Sequence, residues 1–309
     1  MIADEHRRLT CMKPNLERRA SINRFTRAFF IEQGFLEVET PIRVPNVAPE
    51  LHITPFESEG WFLSTSPELY MKRLLAAGYD KLFQVSHCFR KGERGQRHNP
   101  EFTMLEWYRT GADYMQMVHD TERLVMTLID RLELAPVIQY RSQNIDLTLP
   151  WPRITVHDAF LHTAGWDPIA KPDPLRFDID LVDKVIPSFT SARPTVLLDY
   201  PSAQTSLARL KPGEPGGTER AEVFIGGLEL ANAYSELINA QELEKRFQKE
   251  IEKIQREQGR VIAMPQHFLE AAAHLPECGG IALGMDRLVM LLCDADSMEE
   301  VVTFTVDEV

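Results

Sequence analysis

Three short segments of this chain gather the side-chain types that handle a nucleotide and a charged small molecule. In residues 82–108, strand-like residues 82–89 run into Arg90-Lys91-Gly92-Glu93-Arg94-Gly95-Gln96-Arg97-His98, where four basic residues and one acid give 4 − 1 = +3. A cationic, glycine-containing loop suits phosphate oxygens, because guanidinium groups donate paired hydrogen bonds to them. The chain resumes as Glu101-Phe102-Thr103-Met104-Leu105-Glu106-Trp107-Tyr108, and period-two alternation puts Phe102, Met104, Glu106 and Tyr108 on one face. An aromatic that can stack a base, a carboxylate and a phenol thus share a surface beside the basic loop. The same residues also fit a solvated basic hairpin tip over core aromatics.

The second segment is Glu222-Val223-Phe224-Ile225-Gly226-Gly227-Leu228-Glu229-Leu230-Ala231. A two-residue turn at Gly226-Gly227 pairs Ile225 with Leu228 and Phe224 with Glu229, which makes Glu222 and Glu229 diagonal neighbours on one face. Two converging carboxylates repel unless a cation lies between them, and Mg²⁺ bridging to phosphates is the functional reading. Two exposed glutamates on a wet sheet face are the alternative. Strict alternation sends Asn232, Tyr234 and Glu236 to the opposite face from Glu229, so a bulge near Ala231 is required if all are to share one site.

The third segment, Gly279-Gly280-Ile281-Ala282-Leu283-Gly284-Met285-Asp286-Arg287-Leu288, reads as a small-residue strand entering a helix. Arg287 falls in the first helical turn, where the helix dipole disfavours a cation. Gripping a phosphate explains that placement; pairing with Asp286 or a distant glutamate is the other explanation. No Walker loop, G-x-G-x-x-G fingerprint, G-x-S-x-G elbow or H-E-x-x-H motif occurs in the chain, so a nucleotide binds without those devices.

The elements that must position these segments follow from local pattern. Ile22, Phe25, Phe29 and Ile31 recur at helical spacing over residues 18–33, with Gly34 at a left-handed cap. Residues 35–41 alternate as a strand and stop at Pro41. Ser66-Pro67-Glu68 opens a helix ending near Gly78, and further helices are expected at about 115–133, 242–258 and 286–293. Loops are expected at 167–174 and 211–218, both dense in Pro and Gly. Strands flank a mostly helical middle at about 115–190, which predicts one α+β domain over residues 1–309 with a helical insertion.

Composition agrees. With 34 Lys+Arg and 46 Asp+Glu among 309 residues, the net charge is −12, which argues against broad attraction to nucleic acid. The cysteines at 11, 88, 278 and 293 form no C-x-x-C pair and show no zinc-ligand spacing. No apolar run approaches a membrane span, and Met1-Ile2-Ala3-Asp4-Glu5-His6-Arg7-Arg8 lacks the apolar stretch of a signal peptide. A reduced, cytoplasmic protein is expected.

Taken together, the three segments resemble the catalytic core of the class II aminoacyl-tRNA synthetases, nearest the lysyl enzymes. Phe35-Leu36-Glu37-Val38-Glu39-Thr40-Pro41 resembles motif 1, Phe89-Arg90 through Glu106-Trp107-Tyr108 motif 2, and Gly284-Met285-Asp286-Arg287-Leu288 motif 3. The resemblance implies an antiparallel β-sheet flanked by helices, ATP and Mg²⁺ as cofactors, and a homodimer formed through motif 1. It also implies catalytic roles for Arg90 and Arg287. The ATP site would comprise Arg90, Lys91, Gly92, Glu93, His98, Asn99, Phe102, Arg220, Glu229, Leu230, Gly284 and Arg287, with Glu222 and Glu229 holding metal. Ser66, Pro67, Glu68, Glu106, Tyr108, Asn232, Glu236 and Ala282 would take the amino acid.

Two departures refine this. The motif 2 glutamate usually found two positions after the arginine stands one later, at Glu93 behind Gly92, and Ala282 replaces a glycine usual in lysyl enzymes. The helix leading into motif 1 is expected to start near residue 16, leaving no room for an anticodon-binding domain. A stand-alone lysyl-like core resembles the elongation factor P lysine ligase family, also called the PoxA or GenX family. That resemblance implies activation of lysine or (R)-β-lysine as an adenylate and transfer to a lysine ε-amine of elongation factor P, without tRNA or membrane. A minimal tRNA-charging enzyme and a catalytically silent regulatory paralogue are the alternatives.

Overall fold

The structure is a computed structural model describing residues 2–204, 207–214 and 216–309; Met1 and Pro215 of the segments singled out above lie outside the described residues. Helix α1 (Ile2–Glu32) is longer than its sequence pattern suggests, starting well before residue 16 and running through Pro14. A proline inside a helix removes a donor and costs about 3 kcal/mol. Tertiary tethers offset that cost: Arg8 donates to Thr303 O (3.0 Å), Asn15 to Glu300 O (3.1 Å) and Arg18 to Leu292 O (2.8 Å), fastening α1 to the C-terminal segment. Gly34 closes it at φ +77°, as expected.

Beyond Gly34 the expected strand 35–41 shrinks to β1 (Leu36–Glu37), which pairs in parallel with β5, the last bond running from Val38 N to Phe83 O (3.0 Å). A small sheet follows, from β2 (Arg43–Val44), β3 (Glu57–Ser58) and β4 (Trp61–Leu63). Helix α2 (Glu68–Ala76) opens where Ser66 Oγ accepts from Glu68 N at 3.0 Å. Strands β5 (Lys81–Phe89) and β6 (Glu101–Thr110) form the long motif 2 hairpin. Helix α3 (Tyr114–Arg131) carries a capping box between Asp113 and Gln116.

The expected helical middle, residues 115–190, differs in kind. After α3 it holds β7 (Val137–Tyr140), β8 (Gln143–Asp146) and β9 (Arg153–Thr155) before α4 (Val156–Ala164), α5 (Pro174–Asp180) and a final short turn, α6 (Ile186–Ser188). The β7–β8 turn places Arg141 at φ +50° and Ser142 at φ +61°, the conformation of a tight hairpin turn without the Gly or Asn that normally announces one. Helix α3 is not an insertion either: Met117, Val118, Leu124, Val125 and Leu128 belong to the main core.

The remaining elements are β10 (Thr195–Leu198), β11 (Arg220–Ile225), β12 (Leu228–Ser235), α7 (Ala240–Gln258), α8 (Gln266–Ala272), β13 (Cys278–Gly284) and α9 (Met285–Cys293). Eight strands form one sheet in the order β1-β5-β6-β13-β12-β11-β10-β9. Its long neighbours are antiparallel; the edge pairs β1–β5 and β9–β10 are parallel. One face is dry: Leu105, Trp107, Val223, Ala231, Ala233, Ile281 and Leu283 pack against Phe29 and Phe30 of α1, the apolar side of α3, and Leu288 and Leu291 of α9. The other face carries polar residues and is the floor of the site.

Candidate active site

Register across four strands builds that floor. Glu222 on β11 pairs with Asn232 on β12, Asn232 with Ala282 on β13, and Ala282 with Glu106 on β6. One row further on, Arg220, Tyr234, Gly280 and Tyr108 are successive partners. Since directly paired residues share a face, these rows cross the middle of the sheet on its open side. The required bulge lies at Leu230: Phe224 pairs with Glu229 but Val223 with Ala231. The extra residue brings Glu229 to the same side as Asn232 and Tyr234. Gly226 and Gly227 turn the hairpin at φ +58° and +74°, and a Cβ on Gly226 would meet Tyr140 Cδ1 at 2.7 Å.

Above this floor lies a cavity of about 910 Å³, bordered by both the basic loop and the acidic pocket. At one end Arg90 stacks on Phe102 (5.1 Å), while its Nε reaches Thr65 O (3.4 Å) and Nη1 lies 3.6 Å from Glu93. Arg287 donates to Glu229 O (2.6 Å) and to His98 Nε2 (2.8 Å). Its neighbour Asp286 is engaged elsewhere, with Arg19 (2.6 Å) and Thr103 N (2.7 Å), which excludes the Arg287–Asp286 pair. Burial first, then Arg287, hold the His98 imidazole below its usual range, so it accepts a hydrogen bond as a neutral ring rather than adding a cation.

Glu222 sits at the centre, 5% exposed, accepting from Arg220 Nη2 (2.5 Å), Tyr200 OH (2.5 Å) and Asn232 Nδ2 (3.3 Å). Burial and the nearby Glu229 carboxylate push it up to about 7. That mutual repulsion is what a cation between the two would relieve. Mg²⁺ fits this donor set, since it is usually held by one or two carboxylates together with substrate phosphates. No cluster of three His, Cys, Asp or Glu with metal-site proximity occurs among the described residues, so phosphate oxygens would have to supply further ligands.

At the other end is a pocket of charge on charge. Glu106 is 1% exposed and accepts from Ser66 Oγ (2.6 Å) and Tyr108 OH (2.8 Å). Burial, then Glu68, raise it to about 7. Behind it Lys72, 2% exposed, bridges Glu68 and Glu236, at 2.5 Å from each. Gly280 allows this packing: a Cβ there would stand 2.2 Å from Tyr108 Cε1 and 2.3 Å from Glu236 Oε1.

Of the residues singled out from sequence, Ser66, Glu68, Arg90, Glu93, His98, Asn99, Phe102, Glu106, Tyr108, Arg220, Glu222, Glu229, Leu230, Asn232, Ala282, Gly284 and Arg287 all border the cavity. Pro67, Lys91, Gly92 and Glu236 do not. Lys91 contributes its backbone, donating to Thr54 O at 2.7 Å. Glu236 stands behind Tyr108 as the counterion of Lys72. Asn99 is largely spent on structure, donating to Glu101 O (2.6 Å) and accepting from Val306 N (3.1 Å).

Sequence reasoning missed Lys72, Glu50, Tyr200 and, as a site residue, Tyr234. A signal existed for Lys72, four residues after Glu68 on α2, but an i,i+4 Glu–Lys pair reads as a surface feature. Tyr200 gave none.

A family model described as tRNA synthetases class II (D, K and N) matches residues 5–308. The curated protein of Salmonella gallinarum named elongation factor P–(R)-β-lysine ligase is 36% identical over 310 residues, 95% of each chain. Proteins of the same name from Salmonella paratyphi B and Salmonella schwarzengrund are 37% identical over 311 residues, again 95% of each.

Proposed function

Since the chain belongs to the class II tRNA synthetase family of the D, K and N type, we propose that it is an ATP-dependent ligase that activates a lysine-like amino acid, (R)-β-lysine foremost, and transfers it to a lysine ε-amine of elongation factor P. The observation that carries this reading is the continuous row Glu222–Asn232–Ala282–Glu106, which joins a phosphate cradle to an ammonium pocket across one sheet face. The names of relatives matched over 95% of both chains support the choice of acceptor.

The chemistry has two steps. A carboxylate oxygen of the amino acid attacks the α-phosphorus of ATP, the bond to the β-phosphate oxygen breaks, and pyrophosphate leaves. The acceptor amine then attacks the acyl carbon of the adenylate, loses a proton and expels AMP. The first step asks less for a strong base than for fixed positive charge around the α-phosphorus. Arg90 would take the α-phosphate and the carboxylate, and Arg287 the outer phosphates, with His98 fixing its fork. For the adenine to stack on Phe102, the Arg90 guanidinium now lying on that ring has to turn toward the phosphates. Glu222 and Glu229 would hold Mg²⁺, which neutralises phosphate charge when bound.

Selectivity arises at Glu68 and Glu106. An amino acid without a terminal ammonium leaves the buried Glu106 with only the Ser66 and Tyr108 hydroxyls and no cation to offset the Glu68 charge beside it, which costs more than a lost contact. We place the protein in the cytoplasm, as a dimer through the surface that exposes Ile31 and Leu36. Among the described residues, no helix is long and apolar enough to cross a membrane.

The test is pyrophosphate exchange with each lysine isomer, followed by mass spectrometry of elongation factor P and of total tRNA incubated with enzyme, ATP and the active isomer. One added residue on elongation factor P, and none on tRNA, is the expected result. Exchange with no isomer sinks the reading, and charging of tRNA instead of the protein reassigns the acceptor.

A further inference from the structure

Behind the acidic end of the cavity the fold buries an ammonium of its own. Lys72, on α2, is 2% exposed, and its Nζ lies 2.5 Å from Glu68 Oε1 on one side and 2.5 Å from Glu236 Oε2 on the other. Glu68 stands one helical turn before it, a spacing that on an exposed helix contributes little. Glu236 follows β12 directly and is fixed by its backbone, whose N–H donates to Cys278 O (2.9 Å) at the start of β13. The Lys72 ammonium also lies 5.9 Å from the centre of the Tyr108 ring, whose hydroxyl donates to Glu106 (2.8 Å).

Glu68, Glu106 and Tyr108 border the cavity, whereas Lys72 and Glu236 do not. Glu68 is therefore a shared wall, open to the cavity on one side and held by Lys72 on the other. Lys72 takes two of the three carboxylates, and no ion pair reaches the third, Glu106, among the described residues. Stability alone gives no reason for this lysine, because a buried ion pair is often no better than apolar groups of the same shape. Its neighbours on the inner side of α2, Leu69, Met71 and Leu75, are such groups. What an apolar side chain at position 72 could not supply is positive charge directly behind the pocket.

An ammonium arriving from the cavity can pair with Glu106, but one step deeper it meets Lys72 Nζ, a like charge that already occupies the next two carboxylates. A diamino acid longer by one methylene has to press its terminal ammonium toward that charge. Resting on the functional reading above, we propose that Lys72 is a specificity-determining residue, a built-in ammonium that closes the pocket and sets the length of diamino acid it accepts. It touches no reacting atom and acts through Glu68 and Glu236 as a positioning residue. Repulsion of the wrong length adds to attraction of the right one, and the two together make selectivity.

Pyrophosphate exchange tests this with the lysine isomer that the enzyme uses and with its homologue longer by one methylene at the terminal amine. Wild type should favour the lysine in kcat/KM by about tenfold or more, the discrimination that one methylene ordinarily gives. Lys72→Ala opens room and leaves Glu68 and Glu236 to the longer chain's ammonium, so the ratio should fall by about tenfold or more, with the KM for ATP unchanged. Because Lys72→Ala strands Glu236 in the interior, Lys72→Ala with Glu236→Gln is measured beside it, and the same shift is expected. A purely structural role would lower exchange with both substrates by one factor and leave their ratio alone. That result in a variant with native circular dichroism overturns the inference, as does a wild type that uses both lengths equally, while the functional reading stands. Wild type that exchanges with no lysine isomer overturns both.

Discussion

The sharpest quantitative consequence concerns Glu106 and pH. Its carboxyl is 1% exposed, and burial with the Glu68 charge beside it outweigh the hydrogen bonds from Ser66 and Tyr108 and the field of Lys72, raising it from 4.5 to about 7. An incoming ammonium pairs with the ionised form, so binding must expel the proton. With a midpoint near 7 the ionised fraction is about 0.09 at pH 6 and about 0.91 at pH 8, and an affinity scaled by that fraction tightens about tenfold, or about 1.4 kcal/mol. Calorimetry in two buffers of different ionisation heat should find about 0.9 proton released per lysine at pH 6 and about 0.1 at pH 8. Glu106→Gln keeps an acceptor for one of Ser66 and Tyr108, turns an amide donor to the other and cannot titrate; it should flatten the profile, matching wild type near pH 6 and falling below it at pH 8. The linked stability has the opposite sign to that of an ordinary salt-bridged carboxylate. A folded-state value raised above the unfolded one contributes stability that is complete below 4.5 and lost as pH climbs through about 7. The loss is about 3 kcal/mol at 1.36 kcal/mol per unit, so the ligand-free protein should melt lower at pH 8 than at pH 5 and saturating lysine should narrow that gap. A binding constant flat from pH 6 to 8 with no proton release, or an unchanged slope in Glu106→Gln, would refute the reasoning.

Lys72→Met should strand Glu236 and free Glu68, costing about 3–5 kcal/mol for the broken buried pair and lowering the melting temperature on the order of 10 °C; Lys72→Met with Glu236→Gln should recover most of that in the same thermal scan. Gly280→Ala forces the Tyr108 ring off Glu236, at about 1–3 kcal/mol for overpacking, and should raise the amino acid KM while leaving that for ATP unchanged in exchange assays. Arg287→Ala should reduce adenylate formation by about a hundredfold or more with circular dichroism unaltered, because its side chain lies over the cavity and not in the core; unchanged activity would mean the phosphate site is misplaced.

How much of this was legible in the sequence depends on the range over which each feature is decided. Helices α3, α7 and α9 fell within a few residues of expectation because an amphipathic repeat and a cap act locally: Asp113 over α3, Asn239 over α7, Asp294 in the left-handed region after α9. The floor of the site was legible in part. A Gly226-Gly227 turn fixes register as far as Phe224 opposite Glu229, but strict alternation from there puts Glu222 opposite Ala231, and the bulge at Leu230, which no local pattern announces, is what brings Glu222 opposite Asn232. The β7–β8 hairpin was not legible, since its turn uses Arg141 and Ser142 in a conformation those residues rarely adopt; it closes because Tyr140 and Ile145 pack over Gly226. Nor was Glu236 legible as a counterion, because nothing local says that α2 will bring Lys72 between it and Glu68.

What sequence could not display at all is the imbalance of charge in three dimensions. Glu50, Glu106, Glu222 and Glu236 are each raised to about 7 by burial, and in each case a second carboxylate, Glu68 or Glu229, adds to the push. A folded protein that holds carboxyls this far above their ordinary range is less stable near neutral pH than one lined with apolar groups of the same shape. Lys72 and Arg220 show that the fold supplies buried cations where it needs them, at Glu236 and Glu222. Glu106, to which no ion pair reaches among the described residues, is on the proposed reading the place left for a terminal ammonium, and Glu222 and Glu229 keep a mutual repulsion that a metal ion between them would relieve. With Arg90 at one end of the cavity and Glu68 and Glu106 at the other, the order of charges suits an amino acid that carries a carboxylate at one end and an ammonium at the other, and this order, more than any single motif, supports the proposed lysine-like substrate.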